Sequence, residues 1–341
     1  MRAAVYHSNR DIRIAEMPVP QIGPDELLFR VEACGICGSD VMEWYRIRKA
    51  PLVLGHEVAG VVEKVGARVE RFRPGDRIFA NHHVPCGECR YCRRGQETVC
   101  RTLRSTTFDP GGFAQFVRLP EINVRRGTFK LPESVSFEAG TFVEPVACAL
   151  RGQRMAGFRP GDSVAVLGSG LAGLLHVALA RLAGAERVLA TDVSDWRLDR
   201  AREFGADAVF DGREDVPLLV RGANSGRGAD LVIVCAAAPG VLAQALETAE
   251  PGGTVLLYGV PAPGTALSLD TGRFWASAVR LVSSYANSPA DAEEAIELLA
   301  SGRLPVERMI THRLPLAGTA EGFRLTAEAG RSLKVIILPN A

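Results

Sequence analysis

The chain has 341 residues, with 40 basic side chains against 39 acidic ones and a formal net charge of +1. That length points to about two domains, and a composition 47% apolar and 23% charged supplies ample surface for buried cores. The balanced charge argues against nucleic acid or an anionic membrane as partner, and high hydrophobicity without long like-charge runs argues against disorder. The N-terminal segment MRAAVYHSNRDIRIAEMP lacks an apolar stretch and a small-residue cleavage site, so a cytoplasmic location is expected. Val164 to Ala180 contains no Asp, Glu, Lys or Arg, but Gly168, Gly170 and Gly173 break it and His176 lies within it. It is shorter than the ~20 residues of a membrane span and reads as a buried strand running into a buried helix.

In chain order, AAVYH, DIRIAEM, ELLFRVEAC, AGVVEKVG and DRIFA are short strands punctuated by Pro and Gly, which predicts a β-rich domain over residues 1–150. Within it stands Cys34-Gly-Ile-Cys37-Gly-Ser39-Asp40, followed by Gly55-His56-Glu57; Phe142-Val143-Glu144-Pro145 marks the junction of the two halves. One thiolate, one imidazole and one or two carboxylates from distant segments describe an open zinc site, with a position left for water or substrate. Each residue alone has a plainer explanation: Cys37 as a core cysteine, His56 as a satisfied loop histidine, Glu144 as a helix N-terminal charge. It is the combination that points to a metal.

Cys86, Cys89, Cys92 and Cys100 lie in the Arg-rich segment VPCGECRYCRRGQETVC. Four thiolates so close on one loop can wrap a single tetrahedral zinc ion in a closed, structural site. Two disulfides compete, weakly in a chain without an export signal. An iron–sulfur cluster also competes, but Arg101 follows Cys100 where a ferredoxin motif would have Pro.

Residues 163–167 (SVAVL) form an apolar strand, followed by Gly168-Ser169-Gly170-Leu171-Ala172-Gly173, an apolar helix to about Ala183, and the strand RVLATD ending at Asp192. This is the context of a dinucleotide fingerprint. Gly168 permits the tight turn, Gly170 lets the backbone approach a pyrophosphate, and Gly173 lets the helix pack on the sheet, with helix N-terminal amides facing the phosphates. A carboxylate at Asp192 accepts from a ribose 2′-hydroxyl and repels a 2′-phosphate, favouring NAD over NADP. Arg197 either meets the nucleotide or is an ordinary helix charge. ADAVF, ADLVIVCAAA and GTVLLYGV continue the alternation, predicting a doubly wound, mostly parallel sheet over 151–287. The helix around ADAEEAIELLASG and the strand SLKVIIL are expected to return to the first domain, completing it with 288–341.

Together, in this order and over essentially the whole chain, these segments resemble the zinc-dependent branch of the medium-chain dehydrogenase/reductase family, and within it the polyol (sorbitol-like) and threonine dehydrogenases. The resemblance implies an α/β protein with a GroES-like catalytic domain and a Rossmann coenzyme domain, using NAD and two zinc ions per subunit. It implies that Cys37 and His56 ligate the catalytic zinc, with Glu144 where alcohol dehydrogenase has a second cysteine, and Glu57 nearby. Cys148, four residues on, is the rival and is assigned to the core. Asp40 would hold the outer nitrogen of His56, and Ser39 would hydrogen-bond the substrate hydroxyl and pass its proton outward. Leu171, Asp192, Arg197, Tyr258, Gly259, Ser284 and Tyr285 match coenzyme-contact positions. Lys334 matches a basic residue at the pyrophosphate, the alternative being a solvated strand-end charge.

The match departs at Met42, where relatives carry a histidine that assists proton release; Glu43 or water are the available substitutes. His82 and His83 read equally as a surface pair or, for His83, as a residue shaping the substrate. Of Trp44, Tyr45, Arg46 and Arg48, the aromatics are expected to pack beneath the loop and the arginines to face solvent; an arginine in the pocket would suit a carboxylate or phosphate. The expected reaction is reversible oxidation of a secondary alcohol (polyol, cyclitol, sugar derivative or amino alcohol) to a ketone, with zinc lowering the pKa of the alcohol oxygen and hydride passing to nicotinamide. The partner is a small-molecule alcohol, and a homo-oligomer, dimer or tetramer, is expected. Competing readings are a threonine 3-dehydrogenase-like enzyme, a zinc-independent quinone or enoyl reductase, which would lack the metal ligands, and a non-catalytic coenzyme-binding protein, whose open zinc site would have decayed.

Overall fold

In the computed structural model, which describes residues 1–341, the chain separates into two units: Met1–Ala147 with Ala286–Ala341, and Cys148–Tyr285. The first is built around the strand Leu27–Gly35, whose apolar run LLFRVEACG is buried along most of its length. It pairs antiparallel with Glu57–Val65, with Phe116–Leu119 and with Lys334–Leu338. These belong to a seven-stranded sheet that continues through Arg77–Ala80 to Thr128–Lys130 and ends on its other side at Ile310–Pro315. A three-stranded sheet of Asp11–Glu16, Arg2–Ser8 and Leu52–Val53 accompanies it. Phe29, Val31, Val58, Ile78, Val117 and Ile337 fill the core between them, each fully buried. Burial of side chains this size stabilises by roughly 1.5–3 kcal/mol apiece.

Register matters more for function than the core does. Gly35, at the end of its strand, faces Glu57 on one neighbour and Ile336 on the other. Residues distant in sequence therefore meet where the strand Leu27–Gly35 runs out into the loop carrying Cys37.

The second unit is a six-stranded sheet in which every pairing is parallel, ordered Ala208–Asp211, Arg187–Asp192, Ser163–Leu167, Ala229–Val234, Ala249–Leu257, Arg280–Ser283. Ser163–Leu167 is buried at all positions, as a central parallel strand covered by helices on both faces must be. The strand order reverses there, and such switch points leave a crevice beyond the carboxyl ends of the strands. The uncharged stretch from Val164 onward resolves into this strand and the helix Leu171–Leu182. No helix is long and apolar enough to cross a membrane.

That helix carries His176, fully buried. The Gln153 Nε2 donates to the His176 carbonyl at 2.9 Å and lies 3.3 Å from Nδ1. Burial alone pushes the imidazole pKa down to about 3. Between that value and the ordinary one near 6.5, the unfolded chain binds a proton that the folded chain refuses. Stability from this residue is thus complete above pH ~6.5 and declines as pH falls, by on the order of 1.4 kcal/mol per unit. His176→Leu is expected to remove this part of the slope, checked by urea midpoints at pH 7 and pH 5 for both proteins.

Candidate active site

The Gly35 register brings three ligand-type side chains together. The Cys37 thiol, the His56 imidazole and the Glu57 carboxylate place their ligand atoms within 4.8 Å of one another. Cys37 is partly exposed, while His56 and Glu57 are buried. The loop behind Cys37 is fixed by its own hydrogen bonds: the Cys37 amide donates to Asp40 Oδ2 at 3.1 Å, and the Ser39 amide to Cys37 Sγ at 3.4 Å. Asp40 is wholly buried, with Oδ1 3.4 Å from His56 Nδ1. A proton on Nδ1 would face this carboxylate, leaving Nε2 available as a ligand nitrogen. Burial alone would raise the Asp40 pKa, but His56 and Arg46 outweigh it and hold the carboxyl low. Burial would likewise disfavour charge on His56, yet Asp40 and Cys37 together hold its pKa well above the ordinary value. The pocket is built for a cation beside Cys37 and Asp40, and a thiolate, imidazole and carboxylate donor set fits zinc.

Glu57 is not alone. Its carboxylate pairs with Lys334, and both side chains are essentially inaccessible to solvent. A Cβ at Gly35 would collide with this pair, so only glycine lets the pair sit across the strand end. The Lys334 Nζ also lies 5.1 Å from the Phe142 ring centroid. The reading of Lys334 as a solvated strand-end charge is therefore corrected: strand pairing with Leu27–Gly35 buries it beside Glu57. Glu144 is buried in the first turn of the helix Val143–Ala156. Cys148 on that helix is half-buried, not in the core.

The loop after Asp40 reverses another expectation. Trp44 and Tyr45 are exposed, at 39% and 37%, whereas the Arg46 side chain is only 15% exposed. Its guanidinium donates from Nε to Ser39 O at 3.0 Å, and from Nη2 to Ser39 Oγ at 2.9 Å and Asp40 Oδ1 at 3.3 Å. Its other side rests on the Tyr45 ring, 4.7 Å from the centroid. Buried Asp40 is what draws the arginine inward, and a four-residue helix, Glu43–Arg46, is too short to bury an aromatic face. Arg48 is exposed. Met42 precedes this helix, and Glu43 Oε1 accepts from the Asn9 amide at 3.0 Å. His82 and His83 are not a surface pair: His82 is partly buried, and its ring meets those of His56 and His83 in tilted contacts at 4.6 and 3.8 Å between centroids.

In the four-cysteine lobe all four sulfurs lie within 4.8 Å of one another, with the Cys89–Cys92, Cys86–Cys100 and Cys86–Cys92 pairs at 3.5, 3.6 and 3.9 Å. Disulfide sulfurs would be bonded at about 2.05 Å, and all four cysteines are free. Thiolates around one tetrahedral zinc at 2.3 Å stand about 3.8 Å apart, which is the spacing here. Burial opposes charge on Cys100, but the Cys86 and Leu103 amides overcome it and hold its pKa at about 6. The Glu88 and Cys89 amides lower that of Cys86. Amides aimed at the Cys86 and Cys100 sulfurs favour the thiolate a metal requires, while burial pushes the Cys92 thiol up to about 12.

In the second unit, the coenzyme-type residues gather at the carboxyl ends of the parallel strands. Gly168 follows Leu167 with φ of +101°, and a Cβ on Gly173 would overlap the Gly168 carbonyl. Gly170 caps the helix that starts at Leu171. Asp192 ends its strand and accepts from the Ser169 amide at 2.8 Å and the Ser194 amide at 3.0 Å, with Arg197 3.9 Å away. Tyr258 and Gly259 follow Leu257 and both donate to Val234 O, at 3.1 and 2.8 Å; Ser284 and Tyr285 follow Ser283. Lys334 belongs to the first unit and is not part of this sheet.

Residues 23–133 match the model of the alcohol dehydrogenase GroES-like domain, and 172–301 that of the zinc-binding dehydrogenase domain. Sorbitol dehydrogenase of Bacillus subtilis is 31% identical over 100% of this chain and 98% of its own length. Alcohol dehydrogenase TADH from Thermus sp. ATN1 is 34% identical, with a TM-score of 0.88 over 99% of each chain. A chain from Sinorhizobium meliloti 1021, solved bound to NADP, is 32% identical with the same TM-score and coverage. A β-rich unit with ligand clusters, a parallel coenzyme sheet and these end-to-end likenesses lead to one conclusion: the chain belongs to the zinc-dependent medium-chain dehydrogenase/reductase family and is an oxidoreductase of the alcohol dehydrogenase class.

Proposed function

We propose that the protein oxidises a secondary alcohol of a polyol or related polyhydroxy compound to the ketone, reversibly, with NAD as coenzyme and two zinc ions per chain. The observation that carries the reading is the Cys37, His56 and Glu57 cluster, held by Asp40 beside the partly exposed Ser39. Cys37 and His56 would hold the catalytic zinc together with Glu57 or Glu144, and Cys86, Cys89, Cys92 and Cys100 the structural one. When bound, zinc supplies Lewis-acid polarisation of an alcohol and nicotinamide supplies a hydride acceptor. The chain's own part is positioning. Asp40 fixes the His56 tautomer, Ser39 Oγ takes the hydroxyl proton, and Lys334 holds the buried Glu57 charge.

The Gly168–Gly173 turn receives the pyrophosphate, with Leu171, Arg197, Tyr258, Gly259, Ser284 and Tyr285 as further coenzyme contacts. Asp192 still has acceptor capacity for a ribose hydroxyl beyond its two amide bonds. Asp192→Ser is expected to cost roughly 10- to 100-fold in kcat/KM with NAD, as loss of one charged hydrogen bond does, and to raise relative use of NADP. Steady-state rates with both coenzymes check this.

A homo-oligomer is part of the proposal. Arg280–Ser283 is the outer strand of its sheet, and Leu281 on it and nearby Trp275 are 40% and 84% exposed. The function is tested by following absorbance at the NADH band with NAD or NADP against polyols, cyclitols, sugar acids, simple secondary alcohols and threonine. Turnover on polyhydroxy compounds with NAD supports the reading. Turnover confined to threonine, or none with any alcohol, overturns it.

A further inference from the structure

Arg46 sets its guanidinium against the Ser39 hydroxyl, and Met42, three residues on from that serine, has no group that can relay a proton. We infer that Arg46 is a positioning residue for Ser39, a fixed donor that sets the direction of proton flow and sends the proton to water. The inference rests on the assignment of Ser39 as the residue that meets the substrate hydroxyl.

The geometry is specific. Arg46 clamps Ser39 twice, at the carbonyl by Nε and at Oγ by Nη2, 3.0 and 2.9 Å. It is held in turn by Asp40 Oδ1 at 3.3 Å and by the Tyr45 ring. Asp40 Oδ1 is also the atom facing His56 Nδ1. A continuous chain thus runs from the metal-ligand imidazole through Asp40 and Arg46 to the serine hydroxyl.

A guanidinium has donors only, and it does not lose its proton in proteins. Arg46 therefore occupies one lone pair of Ser39 Oγ and can never be the next member of a relay. The remaining lone pair accepts the substrate proton, and the serine's own hydrogen must leave in another direction. The Ser39 hydroxyl meets the Arg46 donor and no protein acceptor, and Ser39 is partly exposed, so water is the acceptor. In balance, the alcohol O–H bond breaks as a new O–H bond forms at Ser39 Oγ. The former Ser39 O–H bond breaks and its proton passes to water, while Arg46 stays protonated throughout. The same inward contacts leave Arg46 committed to Ser39 and Asp40, not to an anionic group on the substrate.

The test compares wild type, Arg46→Ala, Arg46→Lys and Ser39→Ala, with sorbitol and NAD as the probe pair. Arg46→Ala is expected to lower kcat by on the order of 10²-fold with KM within about twofold, to raise the solvent isotope effect on kcat, and to recover in added guanidinium. Zinc content and NADH affinity by fluorescence should remain those of wild type, with the thermal midpoint lowered because buried Asp40 loses one cationic partner. Arg46→Lys should recover part of the rate. The contact itself is read without turnover, by NMR: slow solvent exchange of the Arg46 Nε–H in zinc-loaded wild type supports the clamp, and fast exchange overturns it. Unchanged kcat in Arg46→Ala, or a loss that follows zinc and is not restored by guanidinium, also overturns it. Full activity in Ser39→Ala instead defeats the Ser39 assignment beneath it, a result the Arg46 variants cannot produce.

Discussion

Cys37→Ala is expected to abolish turnover, by 10³-fold or more on the scale at which metal activation contributes, in a protein that still folds and still binds NADH. The thiol is the one partly exposed member of its cluster, and the buried members His56 and Glu57 keep their own partners, Asp40 and Lys334. Removing a small side chain at a loop therefore leaves the strand pairing around Gly35 intact, while the donor set falls from three groups to two. Metal analysis should find one zinc lost per chain and the lobe's ion retained. Loss of both ions, or a fall in coenzyme affinity, would show that Cys37 acts on the fold and not on the metal.

The second large effect belongs to the lobe. Residues 86–100 contain two three-residue helical turns, Cys92–Arg94 and Glu97–Val99, with Arg90, Arg93 and Arg94 exposed. Tyr91 and Val99 are exposed as well, at 42% each. So few buried apolar groups cannot offset the entropy of ordering the segment. In the proposed assignment one zinc ion cross-links it, and structural zinc contributes folding energy directly. Cys89→Ser is expected to release one zinc, to cost several kcal/mol locally (on the order of a lost metal tether), and to open the segment to proteases at its arginines. Limited proteolysis with and without a chelator checks it: cleavage within 86–100 in both the variant and the chelated wild type, and in neither untreated control.

Much of the fold was legible because its signals are local. SVAVL and RVLATD are continuous apolar runs of strand length, and the strands are Ser163–Leu167 and Arg187–Asp192. The turn between the first of them and its helix requires glycine, since Gly168 has positive φ and Gly173 has no room for a side chain. The four sulfurs converge because their spacing confines them to one loop. What escaped is what depends on register between distant segments. Nothing near Lys334 in sequence says that it will be buried against Glu57; the pairing of Lys334–Leu338 with Leu27–Gly35 decides that. The burial of Arg46 has a related cause. Arginines default to solvent, but here a buried carboxylate six residues earlier and a serine hydroxyl supply acceptors, and the neighbouring aromatics are left outside. The tilted contact of His82 with His56 is likewise a product of the sheet, since Ala80 ends a strand paired with the one that begins at Glu57.

The most direct measurement couples metal count to turnover. Purified protein is titrated with a chelator while zinc per chain, NADH formation from a polyol and thermal midpoint are followed on the same samples. The account predicts two zinc ions per chain, and turnover that vanishes with the first ion removed and returns on adding zinc back. NADH binding should persist throughout, and the thermal midpoint should fall only as the second ion leaves. Full turnover in protein stripped of both ions would contradict it.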